Sequence, residues 1–127
     1  MALHILLVED TEDLGENIRD ILKMEGYHVR WERNGLAGMD AFSQERPDLI
    51  ISDIVMPNLN GLDLIRKIRL AEGDNNIPII ILSAKATPED QQKGMDAGAT
   101  AYLKKPCKSA ELTDTVRELL NPENKKL

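Results

Sequence analysis

Leu49-Ile50-Ile51-Ser52-Asp53, followed closely by Met56-Pro57 and Gly61, is the stretch on which the fold turns. The run Leu49–Ser52 does not alternate and is too short for a helix face, so it reads as a strand covered on both sides. It leads straight into the Asp53 carboxylate, and the loop that follows carries Pro57 and two Asn before Gly61. Working outward, Ile5–Val8 is another continuous apolar run. Ile79–Leu82 is a third, rich in β-branched residues and expected to be the most deeply buried. His28–Glu32 alternates in character and Ala101–Leu103 is short; both read as strands. Between the strands the period lengthens. Leu14, Ile18, Ile21 and Leu22 recur at helical spacing and Gly26 closes that helix. A small-residue helix from about Leu36 to Gln44 ends before Pro47, and Leu64, Ile65 and Ile68 mark a third that fades through Gly73-Asp74-Asn75-Asn76. Thr87-Pro88 opens the fourth as N-cap and first-turn proline, and Gly98 closes it. Ser109 is expected to cap a last helix with Leu112, Val116, Leu119 and Leu120 on one face, ended by Pro122.

Strands alternating with helices predict an α/β (βα)5 chain, a doubly wound parallel sheet covered on both faces. Right-handed crossovers leave few topologies, and the flavodoxin-like strand order 2-1-3-4-5 is the favoured one for five strands. A chain of 127 residues is one domain and long enough to bury a core without staples. We expect residues 1–120 to form it and 121–127 to be a polar tail or the start of a linker. Aromatics are scarce (Phe42, Trp31, Tyr27, Tyr102), so the core is aliphatic. A formal charge of −6 argues against nucleic acid as a direct ligand and suits a cation site or a basic partner surface. Cys107 is the single cysteine, which excludes an internal disulfide and, with only two distant histidines (His4, His28), a thiolate zinc site. The longest apolar run, Ile77–Leu82, includes Pro78 and is far too short to span a bilayer. No basic and apolar leader opens the sequence. The expectation is a cytoplasmic protein that binds no membrane.

In an open parallel sheet, ligands bind beyond the carboxyl ends of the strands where the strand order reverses. Here that point lies between the first and third strands, so Glu9, Asp10 and Asp53 converge on it. Like charges at about 4 Å repel by roughly 1–4 kcal/mol per pair, and a site that tolerates this usually binds a cation. Hard oxygen donors in small number suit Mg²⁺ better than zinc or copper. Taken singly, Asp10 reads as a cap for the first helix and Glu9 as a solvated side chain; taken together with Asp53 they read as a metal site. Ser83 ends the fourth strand and Lys105 follows the fifth, so a hydroxyl and an ammonium face the same edge. Cation, carboxylate, hydroxyl and ammonium make a phosphoryl-transfer site.

At this point the residues resemble a known family over about residues 3 to 120. Val8-Glu9-Asp10, Ser52-Asp53 with Met56-Pro57 and Gly61, Ser83-Ala84, Ala97-Gly98-Ala99 and Tyr102-Leu103-Lys104-Lys105-Pro106 occur in the order found in response-regulator receiver domains of two-component signalling. The resemblance implies that Asp53 accepts the phosphoryl group and that Asp10, Asp53 and the Val55 carbonyl bind Mg²⁺, with Glu9 acting through water. It implies that Ser83 and Lys105 bind phosphoryl oxygens and that the Lys105–Pro106 bond is cis. The implied donor is a sensor histidine kinase or histidine phosphotransfer protein, with the receiver catalysing its own transfer. Phosphorylation, adding a group of about −1.5 to −2 charge, would draw Ser83 inward and let Tyr102 turn. The face made by the fourth helix, fifth strand and fifth helix would then change for a downstream protein effector. Tyr102 can also be read as a half-buried packing aromatic.

Three departures from the family pattern carry expectations. Cys107 stands where Phe is usual and reads as a buried small apolar residue. Val55 and Lys85 flank the route of an attacking water, and an apolar Val55 implies slow self-dephosphorylation. Thr100-Ala101 replaces an acidic pair, which disfavours a charged dimer face. Trp31, on the second strand, is expected to lie far from the site. Among competing readings, a magnesium phosphohydrolase with Asp53 as transient nucleophile usually wants a second acid where Val55 stands. A flavodoxin-like cofactor binder needs a phosphate loop where Glu9-Asp10-Thr11-Glu12-Asp13 would repel phosphate. A degenerate, never-phosphorylated receiver conflicts with the full set of acidic residues, Ser83 and Lys105.

Overall fold

The apolar runs become five strands of one parallel sheet. The computed structural model describes residues 2–72 and 77–121. The chain runs β1 (His4–Val8), α1 (Glu12–Met24), β2 (His28–Glu32), α2 (Gly35–Gln44), β3 (Leu49–Ser52) and α3 (Gly61–Glu72). It continues as β4 (Ile79–Ser83), α4 (Pro88–Ala97), β5 (Ala101–Lys104) and α5 (Ser109–Leu120). The strand order is β2-β1-β3-β4-β5 with every neighbour parallel, the flavodoxin-like order. The turn expected at Gly73-Asp74-Asn75-Asn76 and the tail after Asn121 lie outside the described residues.

Alternate side chains of the central strands feed two cores. Leu6, Val8, Ile50, Ile79 and Ile81 pack with Ala41 and Phe42 of α2, with Leu64, Ile65 and Ile68 of α3 and with Ala97 of α4. Ile5, Leu7, Leu49, Ile51, Ile80 and Leu82 pack on the other face with Ile18 and Leu22 of α1 and Leu112 and Val116 of α5. All residues of β3 and β4 are buried, as their unbroken apolar character requires, whereas edge strand β2 is half open.

The helix ends follow local chemistry. Thr87 Oγ1 accepts from the Asp90 amide at 3.1 Å while the Asp90 carboxylate accepts from the Thr87 amide at 3.2 Å, with Pro88 in the first turn. Gly98 closes α4 at φ 121°, a conformation that needs glycine. Asn34, which the sequence pattern did not single out, caps α2 by accepting from the Ala37 amide at 2.8 Å. One expectation needs correction. Ser109 is already helical; Lys108 holds the extended cap position and makes no side-chain cap bond. At α1 the cap position belongs to Thr11, which removes the alternative reading of Asp10 as a helix cap.

The parallel register sets all strand ends on one edge. Val8 lies beside both Glu32 and Ser52, and Ser83 beside Lys104. Residues just past each strand therefore meet.

Candidate functional site

Past the end of β1, Glu9 is drawn inward to 1% exposure, while Asp10 stays in solvent. Past β3, Asp53 is held by its own amide, which donates to the Val8 carbonyl at 3.2 Å, and is 9% exposed. One carboxylate oxygen from each of Glu9, Asp10 and Asp53 lies within 4.8 Å of the others. The convergence read from strand order is thus present.

Lys105, one residue past β5, reaches between two of these acids. Its Nζ lies 2.6 Å from Asp53 Oδ2 and 2.9 Å from Glu9 Oε1, with the lysine side chain 17% exposed. Burial works against the ammonium charge, but hydrogen bonds and attraction from Asp53 and Glu9 outweigh it and raise the Lys105 pKa above its ordinary value. The remaining acceptors are satisfied by main chain. Asp53 Oδ1 takes the Ile54 amide at 2.6 Å and Glu9 Oε2 takes the Thr11 amide at 3.1 Å. Three carboxylates against one ammonium leave two negative charges uncompensated, all on hard oxygen donors. That donor set fits a divalent cation of the Mg²⁺ type.

The loop after Asp53 folds back tightly. The Gly61 amide donates to the Ile54 carbonyl at 2.8 Å, and a Cβ on Gly61 would overlap the Asp53 carbonyl oxygen. Glycine at this position is a steric requirement of the site. Val55, in the same loop, has an open apolar side chain at 57% exposure.

Ser83 is 1% exposed at the end of β4. Its Oγ accepts from the Lys85 amide at 3.1 Å, and the Tyr102 hydroxyl donates to the Lys85 carbonyl. Burial raises the Tyr102 pKa against the lowering effect of a hydrogen bond with Ser83, and the charges of Asp90 and Asp53 add to the rise. Ser83 and Tyr102 are therefore coupled through one main-chain unit, that of Lys85. Gly94 of α4 gives the Tyr102 ring its room, since a Cβ there would meet Cε2 at 2.9 Å. The Lys105–Pro106 bond is cis, as expected.

Two side chains depart from expectation. Trp31 is not far from the site, because its indole Nε1 donates to the Glu9 carbonyl at 2.9 Å. Cys107 is half-buried rather than buried, and its Sγ lies 3.3 Å from Glu111 Oε1. Burial, then the Glu111 carboxylate, pushes the thiol up to about 11.

Comparison with known proteins agrees with this geometry. The family model of the response regulator receiver domain matches residues 5–117, and the chain belongs to that family. Response regulator MprA of Mycobacterium tuberculosis is 37% identical over 120 residues, covering 94% of this chain and 51% of that protein. The chain thus spans about half the length of the curated relatives it matches. The receiver domain of a signal transduction histidine kinase from Syntrophus aciditrophicus superposes with TM-score 0.86 at 37% identity, covering 94% of this chain and 90% of that one. The receiver domain of a Pseudomonas aeruginosa sensor histidine kinase, whose structure holds a magnesium ion in its active site cleft, gives TM-score 0.87 at 33% identity, covering 94% and 98%. Phosphorylation-activated switching in two-component signalling is the standard function of the family, and the phosphohydrolase reading is not favoured. Receivers take phosphoryl groups from histidine kinases, act on downstream effectors and typically bind Mg²⁺ at an acidic site. Among the described residues, no helix is long and apolar enough to cross a membrane.

Proposed function

We propose that Asp53 is the phosphoacceptor of a cytoplasmic switch, with residues 1–120 as the receiver unit. The observation that carries the reading is the meeting of Glu9, Asp10 and Asp53 within 4.8 Å, with Lys105 bound to Asp53. A carboxylate oxygen of Asp53 attacks the phosphorus of a phosphohistidine on a sensor histidine kinase or histidine phosphotransfer protein. The new O–P bond forms as the P–N bond breaks, and its electron pair leaves with the imidazole, which takes up a proton. Lys105 and Ser83 bind the phosphoryl oxygens as charge moves onto them. The carboxylates of Asp10 and Asp53 and the Val55 carbonyl would hold Mg²⁺, with Glu9 acting through water. Bound there, the ion supplies positive charge that screens the incoming phosphoryl group from the acids.

The switch follows from the hydrogen bonds around Lys85. Drawing Ser83 toward a phosphoryl oxygen disturbs the Lys85 main chain to which Tyr102 is bonded, and so biases the Tyr102 ring and the face of α4, β5 and α5. A full reversal of a 1:99 population needs about 5.5 kcal/mol, within reach of several charge-assisted bonds and a metal. That face would engage a downstream protein effector. Tyr102→Ala should leave labelling of Asp53 intact and weaken effector binding; unchanged binding would speak against the coupling. The apolar Val55 cannot orient water, so the phosphoaspartate should decay slowly.

The direct test is intact mass after incubation with a small acyl-phosphate donor, with and without Mg²⁺, beside Asp53→Asn. A gain of one phosphoryl group that needs both Mg²⁺ and Asp53 is expected. No gain in folded protein that still binds Mg²⁺ would remove the phosphoacceptor reading. Loss of the label within seconds would remove the slow-decay reading alone.

A further inference from the structure

Asp10 is the one exposed member of the acidic trio, and among the described residues no hydrogen bond or ion pair holds its side chain. Its place beside Glu9 and Asp53 is therefore set by the main chain that delivers it. That main chain is tied down at Glu9 on both sides. The Glu9 amide donates to the Glu32 carbonyl at 3.0 Å, and the Glu9 carbonyl accepts from Trp31 Nε1 at 2.9 Å. The first bond extends the β1–β2 ladder. The second is made by a side chain, and the surroundings of that side chain are built to fix it.

The indole lies against α1 where the helix has no side chain. A Cβ on Gly15 would overlap the six-membered ring and stand 2.7 Å from Nε1. Glycine inside a helix is unfavourable, so its presence in the first turn of α1 is accounted for by the ring it admits. Two guanidinium groups cover the ring, Arg33 at 4.8 Å and Arg19 at 5.7 Å from its centroid, and Arg33 also pairs with Glu12 at 3.3 Å. Helix α1, the end of β2 and the loop bearing Glu9 and Asp10 thus meet on one indole.

We propose that Trp31 is a positioning residue for the metal-binding carboxylates: by holding the Glu9 carbonyl it fixes the direction in which the chain presents Asp10. The inference rests on the reading of Glu9, Asp10 and Asp53 as a cation site. It assigns Trp31 no contact with the phosphoryl group. Loss of its N–H should therefore weaken metal binding while leaving transfer at saturating metal nearly unchanged.

The test titrates MgCl₂ into the wild type and Trp31→Phe by calorimetry, and follows Trp31 emission in the wild type over the same range. Acyl-phosphate labelling rates at saturating Mg²⁺ complete it. Emission should change along the calorimetric isotherm, since the only tryptophan is bonded to the site. Trp31→Phe should raise the Mg²⁺ dissociation constant about three- to tenfold, as expected for one lost hydrogen bond, with the saturating rate within about twofold. Gly15→Ala, which crowds the ring from α1, should shift affinity in the same direction. Equal Mg²⁺ affinity in wild type and Trp31→Phe would overturn the inference and leave the site standing. So would emission that ignores Mg²⁺ binding seen by heat, a readout that does not depend on the variant folding. Absence of Mg²⁺ heat in the wild type would overturn the site reading, and this inference with it.

Discussion

The two ends of β1 carry polar clusters of similar bond lengths and different character. At the N-terminal end, His4 Nδ1 lies 3.2 Å from Glu45 Oε1 with both side chains largely in water, 49% and 65% exposed. The His4 amide donates to Asp48 Oδ2 at 2.7 Å, and His4 stacks on its register partner His28 with centroids 5.0 Å apart. At the C-terminal end, Glu9 and Asp53 share Lys105 at 2.9 and 2.6 Å, with the side chains of the two acids 2% and 10% exposed. Distance does not distinguish the two clusters. Water does. Exposed pairs are screened and worth little, whereas buried charges must be compensated at close range. The buried end also holds an uncompensated carboxylate excess, which marks it as a place where a cation belongs.

The sharpest break of this contrast is Lys105→Met. It strands Glu9 and Asp53 with mutual repulsion and no cation, and should cost about 2–4 kcal/mol, reduced from a fully buried pair because Lys105 retains some solvent contact. Urea denaturation without Mg²⁺ measures it. A cost below about 0.5 kcal/mol would mean that water serves both ends alike.

Cys107 extends the contrast to chemistry, just beyond Lys105 on the same edge. With its thiol pushed up to about 11, pH 8 leaves roughly 100-fold fewer thiolates than a group at the ordinary value of 9.0. Alkylation should be correspondingly slow and recover only in part in Glu111→Gln, because burial is the larger cause. The fold favours the protonated thiol, so this contribution to stability is present below pH 9 and lost as pH rises toward 11. Rapid alkylation at pH 8 would show that the thiol is open to solvent.

Mg²⁺ itself should stabilise the C-terminal edge. At ten times its dissociation constant a ligand of the folded state adds about 1.4 kcal/mol. A rise of that size in wild type, absent in Asp10→Asn, is expected from melts with and without Mg²⁺. An equal rise in both would place the ion elsewhere.

Much of this was legible before the structure, for a physical reason. β3 and β4 are covered on both faces, so their unbroken apolar character identifies them without context, and Asp53 and Ser83 are found by standing at their ends. Polar strand ends are less visible. His4 and Lys104 join the ladder although hydropathy starts β1 at Ile5 and stops β5 at Leu103, because main-chain hydrogen bonds do not depend on side-chain polarity. The Trp31–Glu9 bond spans 22 residues, and no local period detects it. The available signal was Gly15, a glycine within an amphipathic helix that costs about 1 kcal/mol relative to alanine unless something packs there. Cys107 is less buried than its size and hydrophobicity predict, since neither property registers the Glu111 carboxylate four residues on.

His4→Gln gives the smallest expected effect and bears directly on the comparison. It removes the pair with Glu45 and the stack on His28, two contacts that resemble those of the buried site on paper. The His4 amide is main chain, so its bond to Asp48 survives the substitution. What is lost is an exposed ion pair, present only when His4 is protonated, and a stack between two solvated rings. The cost should be within about 0.5 kcal/mol at neutral pH and should shrink further in high salt, as for other surface pairs. Phosphorylation of Asp53, at the opposite edge of the sheet, should be unchanged. A cost above about 1.5 kcal/mol, or a change in labelling, would mean that the N-terminal edge is more than a solvated border, and burial would no longer suffice to tell a working charge cluster from an idle one.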